Sequence, residues 1–98
     1  MPNEFNGLNP GEIMVYIAAK RLFHSAERMG HLTKDGTEFW YMLTVGEIAY
    51  EAICMPRRTA SRHLNSLVKK GKLRRWHFNN HRIYYRDSDS RANLAQAG

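Results

Sequence analysis

Arg57, Arg58, Arg62 and Asn65 are the side chains in this sequence best suited to reading the polar edge of another molecule. A guanidinium is a rigid fork of donors that pairs bidentately with guanine O6 and N7, and a side-chain amide can pair with an adenine edge. Ser61, small and set between the arginines, lets a helix carrying them sit deep in a groove. Thr59 stands beside them on the same stretch. A second basic group follows, made of Lys69, Lys70 and Lys72, then Arg74, Arg75, His77, His81 and Arg82 around an Asn79-Asn80 pair. Cations of this kind suit phosphates, which position a protein without reading sequence. From Ala52 to Arg86 the chain holds ten Lys/Arg and no Asp or Glu. A merely solvated face mixes both signs, because unrelieved like charge repels itself. The pattern points to a polyanion, and to a duplex in particular, since a helix and a hairpin of one sign match a groove and its flanking backbone.

Other chemistries find little support. His77 and His81 straddle one turn while His24 and His31 lie far away, and Cys54 is the single cysteine, so no set with zinc spacing exists. There is no glycine-rich phosphate loop, and no Ser-His-Asp order has a supporting context. Neither an enzyme nor a metal or other cofactor is expected, and no small-molecule pocket can be read. Trp76, Phe78, Ile83 and Tyr85 are read as packing for the hairpin rather than as stacking platforms for single-stranded bases.

The 98 residues, 43% of them hydrophobic, are enough for one small domain with one modest core. The net charge of +6 and the pI near 9.8 agree with a polyanionic partner. One cysteine excludes an internal disulfide and fits a reducing cytosol. No apolar run is long enough to span a bilayer, and Met1-Pro2-Asn3-Glu4 lacks the features of a signal peptide. A soluble cytoplasmic protein, associated with the nucleoid, is expected, with no membrane contact.

The elements that must position these residues are marked by their caps. Residues 1–8 form a polar lead. Asn9-Pro10-Gly11-Glu12 supplies an N-cap, a first-turn proline and a glutamate at N3, opening a helix that runs to about Met29 with Gly30 as its stop. Val15, Ala19, Leu22, Ala26 and Met29 form its core face. Ile13, Met14, Tyr16 and Ile17 make its first turns apolar nearly all round. That surplus is packed either by the lead or by a second copy of the chain, and a homodimer is favoured. His31 to Thr37 reads as a loop and Glu38 to Leu43 as a strand. Thr44-Val45-Gly46-Glu47 is a second capping box, opening a brief helix through Ile48, Ala49 and Ala52. After a turn at Ile53 to Met55, Pro56 starts a third helix whose buried stripe is Ala60, Leu64, Leu67 and Val68, ending at Gly71. Leu73–Phe78 and His81–Arg86 then form a hairpin about Asn79-Asn80, and 87–98 is a flexible tail.

This order predicts an α+β, mainly α fold, the winged helix-turn-helix, over residues 9–86. The residues Thr44-Val45-Gly46-Glu47-Ile48-Ala49 and Pro56-Arg57-Arg58-Thr59-Ala60-Ser61-Arg62-His63-Leu64 carry a resemblance. They are similar to the C-terminal winged-helix domain of the Crp/Fnr transcription regulators. There Thr-x-x-(Glu/Asp)-Ile opens the first helix of the motif and Arg-x-Thr-x-x-Arg-x-Leu forms the recognition helix. The resemblance implies base-reading positions at Arg57 and Arg62 and a DNA-facing Thr59. It also puts Arg58 where the family often has Glu, so a different base sequence is expected. The turn between the helices is one residue longer than in the family and has no glycine, and 98 residues leave no room for the family's upstream sensory domain. The same stretch, with Leu8-Asn9-Pro10-Gly11-Glu12 before it, also resembles the winged helices of plasmid and phage replication initiators. The expectation is a sequence-preferring binder of double-stranded DNA, a transcriptional regulator first. Replication initiation or partition is the alternative, and a protein-interaction module lies further off.

Overall fold

The computed structural model describes residues 5–29, 32–35, 38–77 and 83–88. The chain runs α1 (Pro10–Met29), β1 (Leu32–Asp35), β2 (Glu38–Met42), α2 (Val45–Glu51), α3 (Arg57–Lys69), β3 (Leu73–His77) and β4 (Ile83–Asp87). Three helices and a small antiparallel sheet give a mainly helical α+β domain with the winged helix-turn-helix arrangement. The sheet order is β1-β2-β4-β3, so β4 enters between β2 and β3. Tyr41 pairs with Tyr85 across β2 and β4, and Tyr85 pairs in turn with Arg75 on β3. The hairpin is therefore anchored through its second strand to the body of the domain.

β1 corrects the loop expected at 31–37. Leu-Thr-Lys-Asp has neither apolar alternation nor β-branched enrichment, so nothing local marks it as a strand. Its order comes from pairing as an edge strand with β2, from Leu32↔Tyr41 to Asp35↔Glu38.

Both capping boxes form. The Asn9 N–H donates to Glu12 Oε1 at 2.9 Å while the Glu12 N–H donates to Asn9 Oδ1 at 2.8 Å. At α2, Thr44 Oγ1 accepts from the Glu47 N–H at 3.1 Å, and the Glu47 carboxylate accepts the Thr44 N–H at 3.0 Å. These pairs satisfy helix N–H groups that have no partner within the helix.

The core sits between α1, α2, α3 and the inner face of the sheet. Val15, Ala19, Ile48, Leu64, Leu67, Leu73, Tyr41 and Tyr85 are its centre. α1 buries more than the expected stripe. Val15, Ala19 and Ala26 are buried and Leu22 is half-buried, but Tyr16, Ala18 and Phe23 are buried too. The Phe23 ring stacks on Tyr41 with centroids 4.7 Å apart. Tyr16, proposed above for a dimer face, is thus a core residue. Its hydroxyl donates to Asp87 Oδ1 at 3.1 Å, and Phe5 packs edge-on against its ring at 6.2 Å.

Two boundaries move accordingly. Phe5 and Leu8 pack against the core, so the end of the lead belongs to the domain. Asp87, expected to begin a tail, closes β4 opposite Leu73 and is only 8% exposed. It holds Lys20 at 3.4 Å as well as Tyr16. A carboxylate buried on the inner face needs such partners, and α1 supplies them. The next residue, Ser88, still donates its N–H to the Lys72 carbonyl. The remainder of the expected tail, 89–98, lies outside the described residues.

Glu12 fixes α1 against α3. Its side chain is 2% exposed and accepts hydrogen bonds from Lys70 Nζ at 2.7 Å, from Ser66 Oγ and from the Asn9 backbone. These donors, Lys70 first and then Ser66 and Asn9, outweigh the effect of burial and hold its carboxyl down at about 2. A folded-state pKa below the ordinary carboxylate value gives stability that is complete above about 4.5 and lost as the pH falls toward 2. Urea midpoints followed from neutral pH to about 2 should fall less steeply for Glu12→Gln than for the wild type. Lys70→Met should lower the unfolding free energy at neutral pH by about 1–3 kcal/mol, because the carboxylate keeps its burial and loses its charged donor. Unchanged midpoints in both variants would show that the contact does not stabilise the fold.

Candidate nucleic-acid interface

α2, a turn and α3 form the helix-turn-helix. Ile48, Ala49 and Ala52 on one side and Ala60, Leu64 and Leu67 on the other are buried. With that stripe facing inward, the 3.6-residue period sends Arg58, Arg62, Asn65 and Lys69 outward in one row. All four are exposed. No acidic residue occurs in α3, and Pro56, at its N-cap, makes no side-chain cap. Pro56 was expected inside the first turn. It stands one position earlier, and its carbonyl accepts the Ala60 N–H.

The two flanks of α3 have other duties. Arg57 is exposed but lies back over the start of α2: a β-carbon at Gly46 would stand 3.1 Å from its Nη2. Arg57 therefore occupies the α2 side of the outward row rather than its centre. Ser61 shares that flank and Thr59 lies on the opposite one, both half-buried. On the α1 side, His63 covers Gly11 so closely that no β-carbon fits there, and Ser66 meets Glu12.

Lys70 requires a correction. It was expected to clamp a phosphate, but its ammonium is bound to Glu12 and, at 2.8 Å, to the Gly7 carbonyl. Lys69 beside it is exposed, and Lys72 is half-buried. Of the dimer-face candidates, one is taken into the core. Tyr16 is core, Ile13 and Ile17 are half-buried, and Met14 is 38% exposed.

The hairpin divides its cations between two faces. Arg74 and Arg86 pair across β3 and β4, and their guanidinium groups lie 5.5 and 5.8 Å from the centre of the Trp40 ring. Trp76 stacks on Tyr84 at 5.2 Å and meets Trp40 edge-on at 5.7 Å. Aromatic faces are attractive to cations, so this outer face of the sheet relieves part of the local charge. Arg74 and His77 remain exposed, whereas Arg86 is buried. Tyr85 packs in the core as expected.

On the helix side of β3, Arg75 Nη1 donates to Asn65 Oδ1 at 2.6 Å. Burial raises the pKa of the Tyr85 hydroxyl, and the Arg75 guanidinium partly pulls it back. Asn65 and Arg75 were read separately, one as a base reader and the other as a wing cation. The fold joins them, and their separation of ten positions in the chain gave no signal of it. The candidates Asn79, Asn80, His81 and Arg82 lie outside the described residues.

The turn is strained. Ile53 and Cys54 both take left-handed backbone, with φ of 59° and 55°. A β-branched residue there is a steric outlier. The geometry is enforced by backbone bonds: the Cys54 N–H donates to the Tyr50 carbonyl and the Met55 N–H to that of Ala49. These bonds close the two helices together across a turn that has no glycine.

Among the described residues no group of three or more His, Cys, Asp or Glu is placed to hold a metal ion. Nor is any described helix long and apolar enough to cross a membrane. No family model, no curated protein and no solved structure matches the chain.

Ile53 is 81% exposed, so replacing it forfeits little burial. Ile53→Asn should raise the unfolding free energy by about 0.5–1 kcal/mol, since asparagine tolerates the left-handed region. A loss of stability in urea titration would show that Ile53 makes a contact worth more than its strain.

Proposed function

We propose that this protein binds double-stranded DNA with sequence preference and acts as a regulator of transcription. α3 enters the major groove, and the β3–β4 hairpin follows the adjacent backbone. The observation that carries this reading is the row Arg58, Arg62, Asn65 and Lys69 on the exposed side of a helix that has no acidic residue. A major groove admits one such helix and displays a distinct donor and acceptor pattern for each base pair. Because Arg75 ties β3 to Asn65, the hairpin stands beside the row, where a groove-bound helix has the flanking phosphates. His77, which alternation places on the same side of β3 as Arg75, is exposed for that contact. The resemblance to the Crp/Fnr winged helix gives the regulatory role its preference over replication initiation.

Within the row, Arg58 and Arg62 read bases and Lys69 holds backbone. Arg57, drawn toward α2, supports the turn as well as the interface, so its substitution mixes two effects. An acidic protein partner would share the salt dependence of DNA but not competition by unrelated duplex. Selection from a random duplex pool supplies the site, and fluorescence anisotropy at several salt concentrations then tests the roles. Arg62→Ala should cost about 1–3 kcal/mol on the selected site and relax one base position. Lys69→Ala should weaken all duplexes alike and lower the salt slope by about one. Equal losses on selected and random DNA for Arg62→Ala would remove the base-reading role, and no enrichment from the pool would remove the proposal.

A further inference from the structure

Asn65 is the one uncharged member of the outward row, and its amide does not face solvent on equal terms. Arg75 Nη1 stands 2.6 Å from its Oδ1. Arginine has donors and no acceptor, so the contact fixes which end of the amide points to β3. The oxygen faces the guanidinium, and the NH2 group is left for whatever lies in front of α3. Arg75 stands opposite Tyr85 in the register of β3 and β4. Tyr85 is 2% exposed and paired on both sides within the sheet, so the strand position from which Arg75 reaches Asn65 is fixed by the fold.

We infer that Arg75 is a positioning residue that makes Asn65 a donor-only reader, selecting guanine over adenine at the base pair it meets. This rests on the DNA-binding reading above. An unconstrained asparagine favours adenine because it donates to N7 and accepts from the N6 amino group at once. With a guanidinium against Oδ1, the oxygen is the poorest place for a further N–H, and the nearby positive charge repels the amino edge. Guanine presents N7 and O6, both acceptors, to the same NH2 group. Cytosine offers a donor at this edge and is disfavoured on the same ground.

The test is base preference, position by position, in duplexes selected from a random pool and checked by competition binding. Asn65→Ala, a change at an exposed helix position, identifies the base pair that Asn65 reads because preference is lost there. The wild type should favour guanine at that pair, and Arg75→Met should raise adenine there by roughly tenfold, the scale of one bidentate contact. Arg75→Lys, which retains a donor for Oδ1, should keep guanine. Adenine at that pair in the wild type overturns the inference even if Arg75→Met fails to fold, and so does an Arg75→Met variant that weakens every position equally. Either result leaves DNA binding standing. Failure of the wild type to enrich any sequence overturns both readings together.

Discussion

The buried carboxylate of Glu12 is the contact on which the placement of α3 depends. α1 and α3 approach closely enough that His63 lies against Gly11, and at that separation a carboxylate between them has no access to water. It is tolerable only because each of its oxygens has a donor from α3, Ser66 on one and Lys70 on the other. The Asn9 backbone N–H shares the second oxygen, so one side chain both caps α1 and docks α3. Lys70 reaches on to the Gly7 carbonyl and brings in the segment that carries Phe5 and Leu8. Removing any one donor leaves the same burial with fewer bonds, which is why a surface-looking lysine at the end of α3 belongs to the fold.

The other end of α3 is fixed by strain rather than by burial. Two successive residues at positive φ reverse the chain between Glu51 and Arg57 within a short span. Their cost persists because the Thr44–Glu47 capping box holds the start of α2 and the buried Ile48, Ala49 and Ala52 hold its inner face. Arg57 then lies across Gly46, where any larger residue would push it away. A helix held by a carboxylate at one end and by an over-determined turn at the other presents its outer row with little freedom.

What could be read in the sequence was whatever is local. Asn9-Pro10-Gly11-Glu12 and Thr44-Val45-Gly46-Glu47 are complete capping signals within four residues, and both helix starts follow from them. The α3 stripe of Ala60, Leu64 and Leu67 is a single period, and the outward row is its complement. β1 was not legible, because an edge strand of polar residues is ordered by its partner and not by its own pattern. Asp87 read as tail because one acidic residue among Ser and Arg carries no apolar signal, and its partners Tyr16 and Lys20 lie far back in the chain. Lys70 read as a phosphate clamp for a similar reason: charge counted along a sequence does not show which cations already have an anion.

That last point alters the meaning of the basic run. Ten like charges between Ala52 and Arg86 would oppose folding if all faced water together. In the folded chain they are divided. Lys70 is neutralised by Glu12, Arg74 and Arg86 lie over the Trp40 ring, and Arg75 is spent on Asn65. Arg57 is drawn over the α2 backbone. The cations left to an outside partner on α3 are chiefly Arg58, Arg62 and Lys69, on one face of one helix. Such a face is smaller than the raw charge suggests and better defined, and definition is what reading a base sequence requires. A diffuse basic surface grips any polyanion, whereas the narrow row with one oriented amide is what the DNA-binding proposal needs to discriminate among base edges.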